Sequence, residues 1–163
     1  MSRLDSFIRR LEAQRACLDL AAALVQQLDG VILELGLGNG RTYDHLRELC
    51  PDRAIYVCER LVTAHPLCVP PAELLLLGDM RDTLPAVRGR LLGQVVLAHF
   101  DAATGDVTTS RAFAAEVALL ITPLLCAGGI LVSEPEIVDD RLRPLPLPAG
   151  IAAGRYQLYQ RSG

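Results

Sequence analysis

The 163-residue sequence predicts an α/β fold: a seven-stranded, mostly parallel sheet with helices on both faces and an antiparallel hairpin at the C-terminus. Three observations lead there. Short runs of strand formers, apolar on both faces, alternate with stretches of helical spacing, the pattern of a parallel sheet covered on each side. Gly36, Gly38 and Gly40 fall between the first such run and the helix-like stretch that follows it. The tail, "RLRPLPLPAGIAAGRYQLYQR", has two extended segments around a glycine-containing turn.

The elements follow in order. Arg3 to Leu28 carries apolar residues at three- and four-residue steps, so a helix is expected there, ended by Asp29-Gly30. Val31 to Leu35 is a short apolar strand. Thr42 to Cys50 has helical spacing and stops at Pro51-Asp52. Ala54 to Glu59 and Glu73 to Asp79 read as the second and third strands, with a helix over Thr83 to Leu92. Gln94 to Asp101 is the fourth strand, Ser110 to Leu125 a helix and Gly129 to Ser133 the fifth strand. The hairpin is read as Leu142 to Leu147 and Arg155 to Arg161, its prolines suiting an edge. The chain is long enough for one domain with a core of its own: a helical cap over 1–29 on a core over 30–163.

Composition bounds the function. Hydrophobic residues are 51% and charged residues 21%, the balance of a globular protein. A net charge of -3 argues against nucleic acid held by bulk attraction. Every one of the 16 basic residues is arginine, a bias that fits GC-rich bacterial coding. The five cysteines include no C-x-x-C pair, and Cys58 and Cys126 lie in apolar segments as small core residues. The first residues, "MSRLDSFIRRLEAQR", are charged throughout and lack the apolar core of a signal peptide, so a cytoplasmic protein is expected. Ala112 to Ser133 is long and apolar, but Glu116, Pro123 and Gly128-Gly129 divide it into a buried helix, a turn and a strand; no membrane span is expected.

A strand that enters a helix through a glycine-rich turn forms a ligand cradle, because the backbone lies bare and the helix N-terminus offers free N–H groups. A dinucleotide fingerprint, G-x-G-x-x-G, would need glycine at position 41, where Arg41 stands. The spacing present is E-x-G-x-G-x-G: Glu34, Gly36, Gly38, Gly40. Read alone, the glycines serve equally as a helix-entry turn, Glu59 as a solvated strand-end charge and Asp79 as a turn residue. Glu34, inside an otherwise apolar strand, needs a partner.

That spacing resembles the first motif of the class I S-adenosylmethionine-dependent methyltransferases, which have a Rossmann-like fold. The resemblance runs along nearly the whole chain, through Glu59 in "YVCER", Asp79 in "LLGDMRD" and a closing hairpin like that fold's last two strands. More narrowly, "ELGLGNGRTYDHLRE" with "AHFDAATGD" is similar to a small bacterial family of S-adenosylmethionine methyltransferases. The resemblance implies S-adenosyl-L-methionine as cofactor. It places Gly36, Gly38 and Gly40 against the methionine part and Glu34 at its amino-acid end. Glu59 would accept the two ribose hydroxyls, Asp79 and the Met80 N–H would read the adenine, and Arg60 with Met80 would close over its faces.

The acceptor belongs at the end of the fourth strand, in "AHFDAATGD". His99 and Asp101, at i and i+2, share one side of a regular strand and are candidates for a general base pair; Thr104 and Asp106 follow as acceptor-binding candidates. The alternatives are a hydrogen-bonded core histidine and a helix-capping aspartate. Asp101 with Asp106 lacks clear further ligands, so no metal is expected. The N-terminal helix and the proline-stiffened loop around His65 are the lid candidates. The N/D-P-P-Y/F signature of base-amino methyltransferases is replaced by "HFDA", and no substrate domain is appended. A small-molecule acceptor is therefore expected, with a homo-oligomer as a way to complete the pocket. The competing reading is a non-catalytic module or regulatory subunit that binds the cofactor without turning it over.

Overall fold

The structure, a computed structural model, describes residues 2–101 and 107–163. A helix, α1 (Arg3–Leu24), precedes a β/α alternation: β1 (Val31–Leu35), α2 (Arg41–Leu49), β2 (Ile55–Glu59), β3 (Leu75–Leu77), α3 (Met80–Leu91), β4 (Val95–Phe100), α4 (Val107–Ile121) and β5 (Leu125–Ser133). The chain closes with β6 (Leu142–Pro144) and β7 (Gln157–Arg161). The seven strands form one sheet in the order β3-β2-β1-β4-β5-β7-β6. The first five are parallel, and β7 runs antiparallel to both β5 and β6. This is the Rossmann-like architecture that the sequence predicts.

The order reverses at β1, which has β2 on one side and β4 on the other. Loops leaving the carboxyl ends of β1 and β4 diverge there and open a crevice. The core lies in two layers. Leu33, Leu35, Cys58 and Phe100 face α3 and α4 through Leu84, Leu91, Val117 and Ile121. Ile32, Val57, Leu97 and Val132 face α1 and α2 through Cys17, Leu18, Ala21 and Leu46. Alternation along each strand sends neighbouring side chains to opposite layers. Among the described residues no helix is long and apolar enough to cross a membrane.

Element boundaries differ from the sequence reading where local chemistry intervenes. The third strand is shorter than expected. Asp79 caps α3 instead of ending β3, accepting the Arg81 N–H at 2.9 Å, so α3 begins at Met80. Strand β5 begins four residues earlier than expected because Leu125 already pairs with Val95. The strand passes through Gly129, where a Cβ would lie 3.0 Å from the Val95 carbonyl. Strand β6 stops at Pro144, since Pro146 and Pro148 have no N–H to donate.

Helix α1 starts on a capping box, Ser2 accepting from the Asp5 N–H and Asp5 from the Ser2 N–H. It ends earlier than its apolar spacing suggests, at Leu24. The reason is Arg53, whose guanidinium donates to the carbonyls of Val25, Gln26, Leu28 and Gly30 at 2.6–3.3 Å. One cation thus gathers carbonyls of the turn that leads from α1 into β1. Arg53→Ala is expected to cost about 2 kcal/mol, and Arg53→Lys to recover only part of it because an ammonium cannot span four acceptors. Chemical denaturation of the two variants measures this; a loss under about 0.5 kcal/mol for both would show the contacts to be incidental.

Candidate active site

The turn after β1 is bent through three left-handed glycines, Gly36 (φ 97°), Gly38 (φ 52°) and Gly40 (φ 82°), a conformation that side chains disfavour. Gly40 is also a packing requirement, since a Cβ there would lie 2.5 Å from the Cys68 Cβ. At Gly38 a Cβ would meet nothing within 4 Å. The turn therefore rests its back on the 61–71 loop and leaves its front open.

In front of it lies a cavity of about 990 Å³. Gly36, Leu37, Gly38, Asn39, Arg41 and Thr42 form one wall, and Glu59, Arg60, Asp79, Met80 and Arg81 the next. The lining is completed by Asp101, by Phe7, Arg10, Leu11 and Gln14 of α1, and by Ala112, Phe113 and Glu116 of α4. Of the two lid candidates, then, α1 roofs the cavity and the loop around His65 buttresses the turn.

Glu59 ties the turn down. One carboxylate oxygen accepts the N–H groups of Leu37 and Gly38 at 2.8 and 3.0 Å, the other those of Arg60 and Leu61 at 2.7 and 3.2 Å. Burial alone would raise the pKa of this carboxyl, but the four backbone donors hold it below its usual range. Asp79 accepts bidentately from the Arg81 guanidinium at 3.0 Å, and these bonds lower its pKa to about 2. Arg81 also lies over the Phe113 ring, 5.8 Å from its centroid.

Such a site fits a particular ligand. The open face of Gly38 admits close approach of a ligand to the main chain. Two carboxylates, Glu59 at the end of β2 and Asp79 capping α3, suit a sugar and a base, and the first turn of α2 offers N–H groups that have no intrahelical partner. A family described as S-adenosyl-L-methionine methyltransferase matches residues 1–161. The chain belongs to that family.

The methyltransferase is 45% identical to the S-adenosyl-L-methionine methyl transferase of Silicibacter pomeroyi DSS-3, with 99% of each chain covered and a TM-score of 0.94. Two further solved structures share the fold at low identity. The 1,6-didemethyltoxoflavin-N1-methyltransferase of Burkholderia thailandensis is 12% identical over 91% of this chain and 80% of that one, TM-score 0.53. Human methyltransferase-like protein 13, in complex with SAH, is 13% identical over 94% and 81%, TM-score 0.57. Comparison with curated proteins finds no match. The cofactor of the methyltransferase is S-adenosyl-L-methionine.

The expected site residues fall into three groups. Gly36, Gly38, Glu59, Arg60, Asp79 and Met80 line the cavity of the methyltransferase, as does Asp101. Gly40, Glu34 and His99 lie outside that lining, Glu34 and His99 with no exposed surface at all. Thr104 and Asp106 lie outside the described residues.

The expected pairing of His99 with Asp101 is not the one the structure makes. His99 stands directly across from Glu34 in the β1–β4 register, and its Nδ1 lies 2.9 Å from the Glu34 carboxylate. The other Glu34 oxygen accepts the Thr42 hydroxyl. Burial would lower the pKa of His99, but the Glu34 carboxylate beside it outweighs this and raises it above its usual range. Glu34, expected at the amino-acid end of the cofactor, thus sits behind the wall with both oxygens engaged inward.

Asp101 lies just past β4 and turns into the cavity, where three residues that sequence reasoning missed hold it. Arg10 donates to both oxygens at 2.6 and 2.8 Å, and Gln14 and Tyr156 each donate to Oδ2 at 2.8 Å. Gln14 also donates to the Tyr156 hydroxyl at 2.7 Å. Burial first, and then the Asp101 charge, drive the Tyr156 pKa far above its usual range, so Tyr156 is a donor at any ordinary pH. Arg10 and Gln14 are one helical turn apart on α1, a pairing visible in the sequence; what Tyr156 approaches depends on the fold.

Proposed function

We propose that the protein methylates a small molecule that binds between α1 and α4, beside Asp101. The observation that carries this is the continuity of one cavity. Its glycine turn, Glu59 and Asp79 line the same space as Asp101, Phe7, Arg10, Gln14 and Phe113. A volume of about 990 Å³ takes a nucleoside cofactor and a compact acceptor together, and α1 lies over part of it.

S-adenosylmethionine, when bound, supplies a methyl group on a sulfonium, whose transfer depends chiefly on alignment. In this reading Gly36 and Gly38 receive the methionine part, Glu59 the ribose hydroxyls in exchange for some of its backbone N–H donors, and Asp79 with Met80 and Arg60 the adenine. Asp101 holds the acceptor: among the described residues Oδ2 takes three bonds and Oδ1 one, so Oδ1 is the oxygen offered to an O–H or N–H of the substrate. Phe7, Leu11 and Phe113 supply apolar walls for its body. His99 is not in contact with the reacting atoms in this scheme.

Incubation with methyl-labelled cofactor and fractionated bacterial extract tests the proposal. Label is expected in the low-molecular-weight fraction; label only in protein or nucleic acid would overturn it. The competing reading, a cofactor-binding module without turnover, draws on the heavily engaged carboxylate of Asp101 and predicts no label anywhere despite tight binding. Binding is measured separately. Glu59→Ala is expected to weaken S-adenosylhomocysteine affinity by about 1–3 kcal/mol, read by calorimetry, because a ribose acceptor and the tether of the turn are lost together. Unchanged affinity would remove Glu59 from the cofactor site.

A further inference from the structure

The Glu34–His99 pair touches no cavity surface, yet it is fully buried and directly bonded to a residue that does. A threonine hydroxyl has one proton and two lone pairs, and its rotor ordinarily turns to suit whatever it meets. At Thr42 the proton is committed inward to Glu34. That commitment is strong, since a buried carboxylate oxygen left without a donor is costly. Thr42, at the second position of α2, then shows the cavity only lone pairs.

His99 is what keeps this polarity. Its Nδ1 occupies the second Glu34 oxygen, while its Nε2 has no partner among the described residues, so its polar role is spent on Glu34 alone. Between the Thr42 hydroxyl and the His99 ring the Glu34 carboxylate acts as acceptor on both oxygens. A protonated Glu34 would instead be able to donate to Thr42 and turn that hydroxyl's proton toward the cavity.

We infer that the Glu34–His99 pair fixes the Thr42 hydroxyl as a pure acceptor, and that this oxygen receives the α-ammonium group of the cofactor. An ammonium only donates and a carboxylate only accepts, so a hydroxyl locked this way distinguishes the two ends of an amino acid. His99 and Glu34 are positioning residues that act through Thr42. The inference rests on the family's cofactor and is independent of which acceptor is methylated.

The test compares S-adenosylhomocysteine with its analogue lacking the α-amino group, by calorimetry on the full chain. The unmodified protein is expected to prefer the amino-bearing ligand by about tenfold or more. Thr42→Val is expected to reduce that preference to within about twofold, and Thr42→Ser to keep it. His99→Gln is expected to narrow the preference by about threefold or more while leaving affinity for the deaminated analogue nearly unchanged. A merely structural role for His99 would weaken both ligands by one factor, and that result overturns the inference. So does full discrimination by Thr42→Val, or none by the unmodified protein. The half-buried Thr42 variants decide the matter even if His99→Gln does not fold.

Discussion

Gly40→Ala is expected to lower the melting temperature by about 10 °C, and Gly38→Ala by only about 3 °C. Both glycines have left-handed backbones, with φ 82° and 52°, so both variants pay the strain of an L-residue there, about 1–2 kcal/mol. Only Gly40 adds a collision, its new Cβ standing 2.5 Å from the Cys68 Cβ and 3.0 Å from the Cys68 carbonyl oxygen. Relief requires the 66–68 turn to move away from the start of α2, an overpacking penalty of about 1–3 kcal/mol. For a domain of this length each kcal/mol shifts the midpoint by about 2–4 °C. At Gly38 the added methyl meets no protein atom and stands on the open front of the turn, so its consequence is expected in ligand affinity instead. Calorimetric melting with and without S-adenosylhomocysteine separates the two. Equal midpoint losses would mean that the contact with Cys68 yields easily and that the loop is not a buttress.

The same turn shows what a sequence can and cannot disclose. Its glycines, and the acids Glu59 and Asp79 that follow the next two apolar runs, are local signals, and all but Gly40 line the cavity. The alternation of strands and helices is equally local, because burial on both faces of a parallel sheet is written into each strand separately. Register is not local. Glu34 and His99 are 65 positions apart and meet because β1 and β4 are neighbours across the reversal point of the sheet. The i, i+2 rule linked His99 to Asp101, but β4 ends at Phe100, so the rule no longer governs the next residue. Asp101 instead swings toward α1, where Arg10 and Gln14 wait one turn apart, and toward Tyr156 on the closing hairpin. The Asp101 carboxylate is therefore held by residues from distant parts of the chain. Residues 10 and 156 carry no motif that would have joined them.

Fold and function meet most closely at the buried pair, and the sharpest stability effect is expected there. His99→Leu leaves the Glu34 carboxylate with no exposed surface and no imidazole, and breaking a buried pair from one side costs about 3–5 kcal/mol. The double variant Glu34→Leu/His99→Leu is expected to be more stable than the single one, because replacing both partners by apolar groups removes the unpaired charge. The pH dependence gives an independent check. The Glu34 charge raises the folded-state pKa of His99 above its unfolded value of about 6.5. Protons therefore bind the folded state more tightly, and the stabilisation is fully present below about pH 6.5 and fades as pH rises through the folded-state value. The stability difference between the unmodified protein and the double variant should thus be largest near pH 6 and shrink toward pH 9, as followed by denaturant titration. A difference that grows over that range would mean that His99 is held neutral in the folded protein, and that the pair is a hydrogen bond between uncharged imidazole and carboxylate with no ion-pair character.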